Sequence, residues 1–405
     1  MICGLLLCAT MILYMDRQTL PNLASRITKE FDLSQEQYGN LELAFGWAFA
    51  VGSLVFGVLA DTLPTRWLYP FVLLMWSLAG FMTGFVTNYE QLLICRAALG
   101  FFEAGHWPCA LRTVQRLLAR SDRPLGNSLL QSGASIGAIA TPLIIRFMIG
   151  DDLTPGIWRL PFLVIGGAGL FWIVCWFLLL RGQRLDSARP EAPEPAARLV
   201  PAASLPIGRA IALLVMVTCI NATWQLMRAW LPKFLQEGRG YTEAFALYFN
   251  SAFYIATDIG CLGAGALAFY LARRGWTVPG ARLTVFGLCV LLTALSPLLA
   301  VLPAGWPMLG VILLIGAGSL GMHTCYYSYV QDISVAHVGK VAGTLAAIGW
   351  FLSSPTQTLF GRIVDRTQSF DLSIGLVGLP PLIGFLAMAL LWGRDRPENR
   401  AGIGR

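Results

Sequence analysis

The chain has 405 residues, 56% of them apolar and 13% charged. An ordinary soluble chain carries about 25% charged residues, so this balance excludes a water-soluble globular fold and leaves no length for a soluble catalytic domain. The net charge of +7 is not the footprint of a nucleic-acid binder, because the basic residues sit in short loops gathered on one side of the chain's path. The apolar runs are about 20 residues or longer, so the spanning elements are helices and not barrel strands.

Periodicity and polar breaks predict an all-α membrane protein with twelve transmembrane spans. The first six are Met1–Ile27, Tyr38–Asp61, Trp67–Thr87, Tyr89–Leu118, Pro124–Ile149 and Ile157–Leu180. Residues 181–206 follow, rich in Pro, Ala and charge without periodicity, and read as a flexible linker. The second six are Ile207–Leu235, Glu243–Ala272, Pro279–Val301, Trp306–Asp332, Val338–Val364 and Leu372–Trp392. The division is thus an N-terminal six-helix bundle over 1–180, a cytoplasmic linker over 181–206, a C-terminal six-helix bundle over 207–393 and a cytoplasmic tail over 394–405. Six spans, a linker and six spans predict two parallel repeats with a ligand site between them.

Lys and Arg in the loops set the orientation. One side collects 18 of the 29 basic residues, among them Arg66, the Arg112–Arg123 cluster, Arg273, Arg274, Arg282 and Lys340, and both termini are therefore expected in the cytoplasm. Met1 to Thr10 is apolar but lacks a basic n-region, so it is not a cleavable signal, and the first span starts without a cytoplasmic arm. The nine cysteines are scattered through apolar runs with no CxxC pair and no histidine at metal spacing. They read as small packing residues, with no metal or cofactor site.

Charge inside the apolar runs marks the candidate site, because each such charge costs at least about 2.5 kcal/mol at bilayer depth. The fourth span carries Arg96, Glu103 and His106 in Arg96-Ala-Ala-Leu-Gly-Phe-Phe-Glu103-Ala-Gly-His106-Trp-Pro108. On a continuous helix, Arg96 and Glu103 share a face and His106 lies on it or close by. Arg96 either locks Glu103 permanently or changes partner and lets the carboxylate carry a proton. A lone His106 beside Trp107 reads first as a packed, hydrogen-bonded residue and second as a substrate contact. The first span carries Tyr14-Met-Asp16-Arg17. If that helix ended near Leu20-Pro21 the two charges would be interfacial; if it continues to Ile27 they lie at depth.

The second half offers polar faces at helical spacing: Asn221, Trp224, Gln225 and Arg228; Tyr254 and Asp258; His323, Tyr326 and Tyr327; Trp350, Ser353, Ser354 and Gln357. Each alone serves as interhelical glue, and together they read as the wall of a shared aqueous cavity. Arg228 and Asp258 are candidates to pair with each other across the seventh and eighth spans. Gly52, Gly57, Gly133 and Gly137 are placed to let helices approach closely.

These residues carry a resemblance. Gly57-Val-Leu-Ala-Asp61-Thr-Leu-Pro-Thr-Arg66 resembles the loop motif of the major facilitator superfamily, with Thr62 and Pro64 where arginine and glycine are usual. Tyr14-Met-Asp16-Arg17, Arg96 with Glu103-Ala-Gly-His106-Trp-Pro108, Ser132-Gly133, Trp230-Leu-Pro-Lys-Phe-Leu235, Asp258-Ile-Gly260 and Arg273-Arg-Gly-Trp276 resemble the anion:cation symporters of that superfamily, in the hexuronate-like branch of hexuronate, galactonate and sialic-acid carriers. His106 stands where that branch has asparagine, and Phe49 where galactonate carriers have tyrosine.

The resemblance implies a major facilitator fold, with Asp16 and Glu103 as proton carriers. It implies that Arg17 binds the substrate carboxylate, Arg96 exchanges partners and Tyr14 touches substrate. Gln131, Phe49 and His106 join the candidate substrate wall, and Asp61, Arg66 and Asp258 are candidate conformational residues. The expectation is proton-coupled import of a small organic anion such as a hexuronate or other sugar acid by alternating access. It needs no cofactor beyond protons and no partner beyond substrate and lipid, and it is met by a monomer in the cell (inner) membrane. Export of an anionic or amphipathic compound and ligand sensing without transport are the alternatives. An enzyme is excluded because no nucleophile–base set is present.

Overall fold

The computed structural model describes residues 2–118, 122–180, 207–333 and 338–392, with no strand among them. The predicted linker (181–206) and tail (394–405) lie outside the described residues. The twelve predicted spans correspond to sixteen α-helices, because several spans are broken. In the first half they are α1 (Ile2–Glu30), α2 (Gln35–Thr62), α3 (Thr65–Thr83), α4 (Tyr89–Glu103), α5 (His106–Leu117), α6 (Arg123–Ile149) and α7 (Arg159–Leu179). In the second half they are α8 (Ile207–Lys233), continued by a π-helical turn at Phe234–Gly238, then α9 (Glu243–Arg273), α10 (Val278–Thr293), α11 (Leu298–Val301), α12 (Trp306–Ile333), α13 (Val338–Ser353), α14 (Pro355–Thr367), α15 (Asp371–Leu376) and α16 (Pro380–Leu391). Among the described residues, eight segments are long and apolar enough to cross a membrane by length and composition.

The breaks have local causes. Proline lacks an N–H and its ring clashes with the carbonyl four residues back. Pro355 therefore separates α13 from α14, and the Phe351 carbonyl it cannot serve accepts a hydrogen bond from the Trp47 indole at 3.1 Å. Pro108 likewise cannot serve Ala104, and the fourth span breaks into α4 and α5 at Ala104-Gly105. The sequence predicts one continuous helix there, so this is a correction. Pro21 does not end the first helix: α1 runs through it to Glu30, which puts Asp16 and Arg17 at depth.

Helix direction defines two ends of the bundle. The distal end holds the turns after α1, α6, α11 and α14, and the proximal end holds the turn between α2 and α3. Around the distal end, one apolar core is shared by both halves. It joins Leu20, Leu23, Tyr38 and Trp158 to Trp230, Phe234, Phe253 and Phe360. The proximal parts have separate cores, one around Trp76, Tyr69 and Trp172 and one around Phe286, Met322 and Tyr326.

Polar bonds across the halves gather at the distal end and reach mid-depth. Arg26 binds both oxygens of Glu243, with Nε–Oε1 at 2.7 Å and Nη2–Oε2 at 2.6 Å. Asp365 of α14 accepts from the first N–H groups of α2, at Gln35 (3.0 Å) and Glu36 (2.8 Å). It thereby satisfies donors that a helix start leaves open. Asn250 donates to Asn22 at 2.8 Å, and Ser135 donates to Asp258 at 2.9 Å. The partner of Asp258 is therefore a serine of the opposite half, and the expected pairing with Arg228 does not form.

Glycine allows the close crossing of α1 and α6. A Cβ at Gly133 would fall inside contact distance of the Leu7 carbonyl oxygen, and one at Gly137 would lie 3.1 Å from the Tyr14 Cβ. Gly52 packs against the Phe101 carbonyl in the same manner, whereas a Cβ at Gly57 would meet nothing within 4 Å. Gly133→Val is expected to cost roughly 1–3 kcal/mol through overpacking against backbone that cannot yield. Gly57→Ala should leave stability unchanged or raise it. Thermal unfolding of the two purified variants checks both expectations.

Candidate functional site

The site is built in two ionic layers around α1, α2, α4 and α8. In the first, Arg17 of α1 donates from Nε and Nη2 to one oxygen of Glu103, at 2.9 and 2.7 Å. Both groups are buried. The guanidinium also lies against the rings of Phe49 (5.1 Å), Phe45 (5.2 Å), Tyr14 (5.4 Å) and Trp350 (5.7 Å). Each such contact contributes about 0.5–2 kcal/mol, and together they hold the cation where water cannot. Phe49 thus borders the site through its ring, as its place in the sequence suggests.

The second layer lies seven residues along α4, about 10 Å toward the distal end. Here Arg96 donates to Glu42 at 2.7 Å, and Arg228 of the other half donates to the second oxygen of Glu42. Arg228 is braced by Gln225, whose oxygen accepts from its Nε at 2.7 Å. The Arg96 guanidinium stands 4.7 Å from the Phe45 ring centre, so that ring has one cation of each layer against it. Arg96 therefore pairs with Glu42 and not with Glu103, a correction to the simple reading of α4.

Glu42 is the functional candidate that the sequence reading missed. It lies seven residues before Phe49 and three before Phe45, on one face of α2. A carboxylate flanked by Leu41 and Leu43 inside an apolar run was the available signal. Gln18 and Asn22 were missed too. They follow Tyr14 at i+4 and i+8 on α1 and bond to Tyr254 and Asn250 of the other half.

Asp16 points elsewhere. It is 3% exposed, and its Oδ1 lies 2.8 Å from the point where a side chain on Gly80 of α3 would begin. Its Oδ2 has no partner. It shares the first half with Glu103 but stands outside both ion pairs.

His106 is fully buried, with Nε2 at 3.0 Å from Thr10 Oγ1 and Nδ1 at 3.1 Å from the Tyr69 hydroxyl. The rings of Tyr69, Trp76 and Trp107 surround it. Both ring nitrogens are thus occupied by groups of the first half, which corrects the substrate-contact reading of His106 to packing.

The remaining candidates divide. Trp224, Tyr254 and His323 form an aromatic group with ring centres 6.1 Å apart at both contacts, next to Gln18. Tyr327 is 56% exposed and lies one turn along α12 from His323, on the same face. Gln131 is exposed on α6, one turn from Ser135. Tyr326 instead faces the core of the second half, with its hydroxyl buried and unpartnered. Ser353 and Ser354 donate back to the Trp350 carbonyl at 3.4 and 2.6 Å, and Ser354 abuts Gly46 of α2. Gln357 accepts from the Trp230 indole at 2.7 Å. Ser354 and Gln357 act as interhelical glue and Ser353 bonds back within its own helix, which corrects their reading as cavity wall. Trp350 remains at the site through its contact with Arg17. Asp61 pairs with Arg112 of α5 at 3.2 Å, so its cation is not Arg66, whose Nε is buried without a partner.

No group of three or more metal-binding side chains occurs among the described residues. The arrangement offers guanidinium groups to an anion and carboxylates to protons. Tyr69→Phe removes one partner of His106 and is expected to destabilise the fold by about 1–3 kcal/mol. Thermal unfolding of the purified variant beside the unmodified protein checks this.

Comparison with known proteins places these features in context. The Major Facilitator Superfamily matches residues 6–356. A probable sulfoacetate transporter of Cupriavidus necator is 24% identical over 99% of this chain and 96% of its own length. A probable L-galactonate transporter of Escherichia coli K12 is 26% identical over 96% of this chain and 88% of its own. The hexuronate transporter of the same strain is 22% identical over 95% and 84%. Among solved structures, a bacterial homolog of the human lysosomal transporter Spinster, inward-facing and occupied, superposes with a TM-score of 0.77 at 15% identity, covering 96% of both chains.

Proposed function

The chain belongs to the Major Facilitator Superfamily, a multi-pass membrane transporter and not an enzyme, and from that premise we propose that it imports a small organic anion, a sugar acid, together with protons by alternating access. The observation that carries the proposal is the buried Arg17–Glu103 pair, set among aromatic rings where helices of both halves meet. A buried cation whose only strong partner is a carboxylate is an anion seat that the carboxylate holds between substrates. When Glu103 takes a proton, Arg17 loses its counter-charge and becomes the strongest attractor for a substrate carboxylate. Asp16, buried outside both ion pairs, supplies a second place for a proton. Trp224, Tyr254 and His323 offer stacking faces and polar edges for the hydroxylated body of the ligand.

In this reading the structure is the state closed at the distal end, where the shared core and the Arg26–Glu243 and Asp365 contacts lie. The orientation read from the basic loops makes that end the outer one, with both termini cytoplasmic. Transport then requires these contacts to part and contacts at the proximal end to form. The organic acids handled by the relatives support the substrate class, and the buried guanidinium groups favour an anion over a neutral amphipath.

Glu103→Gln is expected to abolish uptake driven by a pH gradient in proteoliposomes while leaving counterflow exchange partly intact. Gradient-driven accumulation at the unmodified level would refute the proton role. A bound substrate should raise the melting temperature of the purified protein, because ligand at 100 times its Kd adds about 2.7 kcal/mol. A panel of hexuronates, aldonates and sulfoacetate should therefore produce a shift with sugar acids. A panel that produces none would count against the substrate class.

A further inference from the structure

The second ionic layer has more cation than it uses. Arg96 and Arg228 both bind Glu42, yet Nε and Nη1 of Arg96 and Nη1 of Arg228 are buried with no partner. Arg96 is 1% exposed and Arg228 2%, so each unmade bond leaves a desolvated donor aimed into the protein. The Arg96 guanidinium stands beside the same Phe45 ring that flanks Arg17, so the two layers share one wall. Across both layers, three guanidinium groups face the two carboxylates Glu42 and Glu103, and the cluster carries one excess positive charge.

We propose that Glu42 is a built-in anion that fills a second guanidinium seat, between Arg96 and Arg228, and thereby restricts the site to substrates with a single acidic group. The proposal rests on the organic-anion reading above and specifies its substrate class. A singly charged sugar acid takes the place of the Glu103 charge at Arg17 as Glu103 gains its proton, so the charge of the cluster stays as it was. A six-carbon aldarate carries a carboxylate at each end, and its second one would have to enter a seat where Glu42 already stands. Removing the Glu42 charge leaves the donors of Arg96 and Arg228 free for that second group. Because Glu42 and Arg228 lie on opposite halves, the seat forms only when the distal end is closed, so the selection is made in the closed state.

The test compares D-galacturonate, a monoanion, with galactarate, a dianion, by calorimetric titration of the full chain. The unmodified protein is expected to prefer galacturonate, and equal or tighter binding of galactarate to it overturns the proposal without any mutant. Glu42→Gln should shift the preference toward galactarate by about tenfold or more, a change of about 1.4 kcal/mol. The double variant Glu42→Gln with Arg228→Gln restores the charge balance and should return the ratio to that of the unmodified chain. A merely structural Glu42 would lower stability in the single variant and leave the ratio where it was, which refutes the assignment. If neither compound binds the unmodified protein but Glu42→Gln takes galactarate, the sugar-acid reading fails and the second seat stands. If neither compound binds any form, the seat assignment fails.

Discussion

Burying guanidinium groups at bilayer depth is the constraint from which the rest of the site follows. An ion moved out of water costs several kcal/mol even after the protein relaxes, and removing one partner of a buried pair costs about 3–5 kcal/mol. Arg17, Arg96 and Arg228 are all buried, so each must have a carboxylate within reach. Glu103 serves the first and Glu42 serves the other two. The aromatic rings that crowd Arg17 and Arg96 then exclude water and keep the cations in place. The neutrality requirement ties helices together that are far apart in sequence: α1 to α4 in one layer, and α2, α4 and α8 in the other.

That tie crosses the two halves. Glu42 holds an arginine from each side, so the ionic cluster is part of the same contact surface as Ser135–Asp258, Asn22–Asn250 and the distal apolar core. Contact at this closeness depends on small residues: Gly39 lies against the backbone at Gln357, and Gly361 against the backbone at Gln35. The polar bonds and the glycines let the two halves meet backbone to backbone around the ionic cluster. The core shared at the distal end is what their parting would cost.

Much of this was legible from the residues in order. The apolar runs gave the spans, because a backbone in lipid must satisfy its own hydrogen bonds and has few ways to do so. The cost of charge at depth singled out Arg17, Arg96, Glu103 and Arg228 without any knowledge of their neighbours. Glycine spacing marked Gly133 and Gly137 as points of close approach, and the structure supplied α1 as the partner. Glu42 escaped notice because it lies only seven residues inside α2, where a carboxylate reads as interfacial. The serines and glutamine of the eleventh span looked like a cavity wall because helical spacing reports a shared face and not what that face meets.

The sequence by itself determined that the chain is helical, membrane-spanning and built to hold charge inside. Those properties follow from local composition and from the price of desolvation, and both can be read one segment at a time. Only the tertiary structure decided who pairs with whom. Arg96 sits seven residues from Glu103 on one helix, yet its partner comes from α2, and Asp258 binds a serine instead of the arginine one helix away. Side chains pointing along one helix face reach outward, not along it, so their partners are chosen by the helices packed opposite. The fate of His106 was decided in the same way, by Thr10 of α1 and Tyr69 of α3 packed against it.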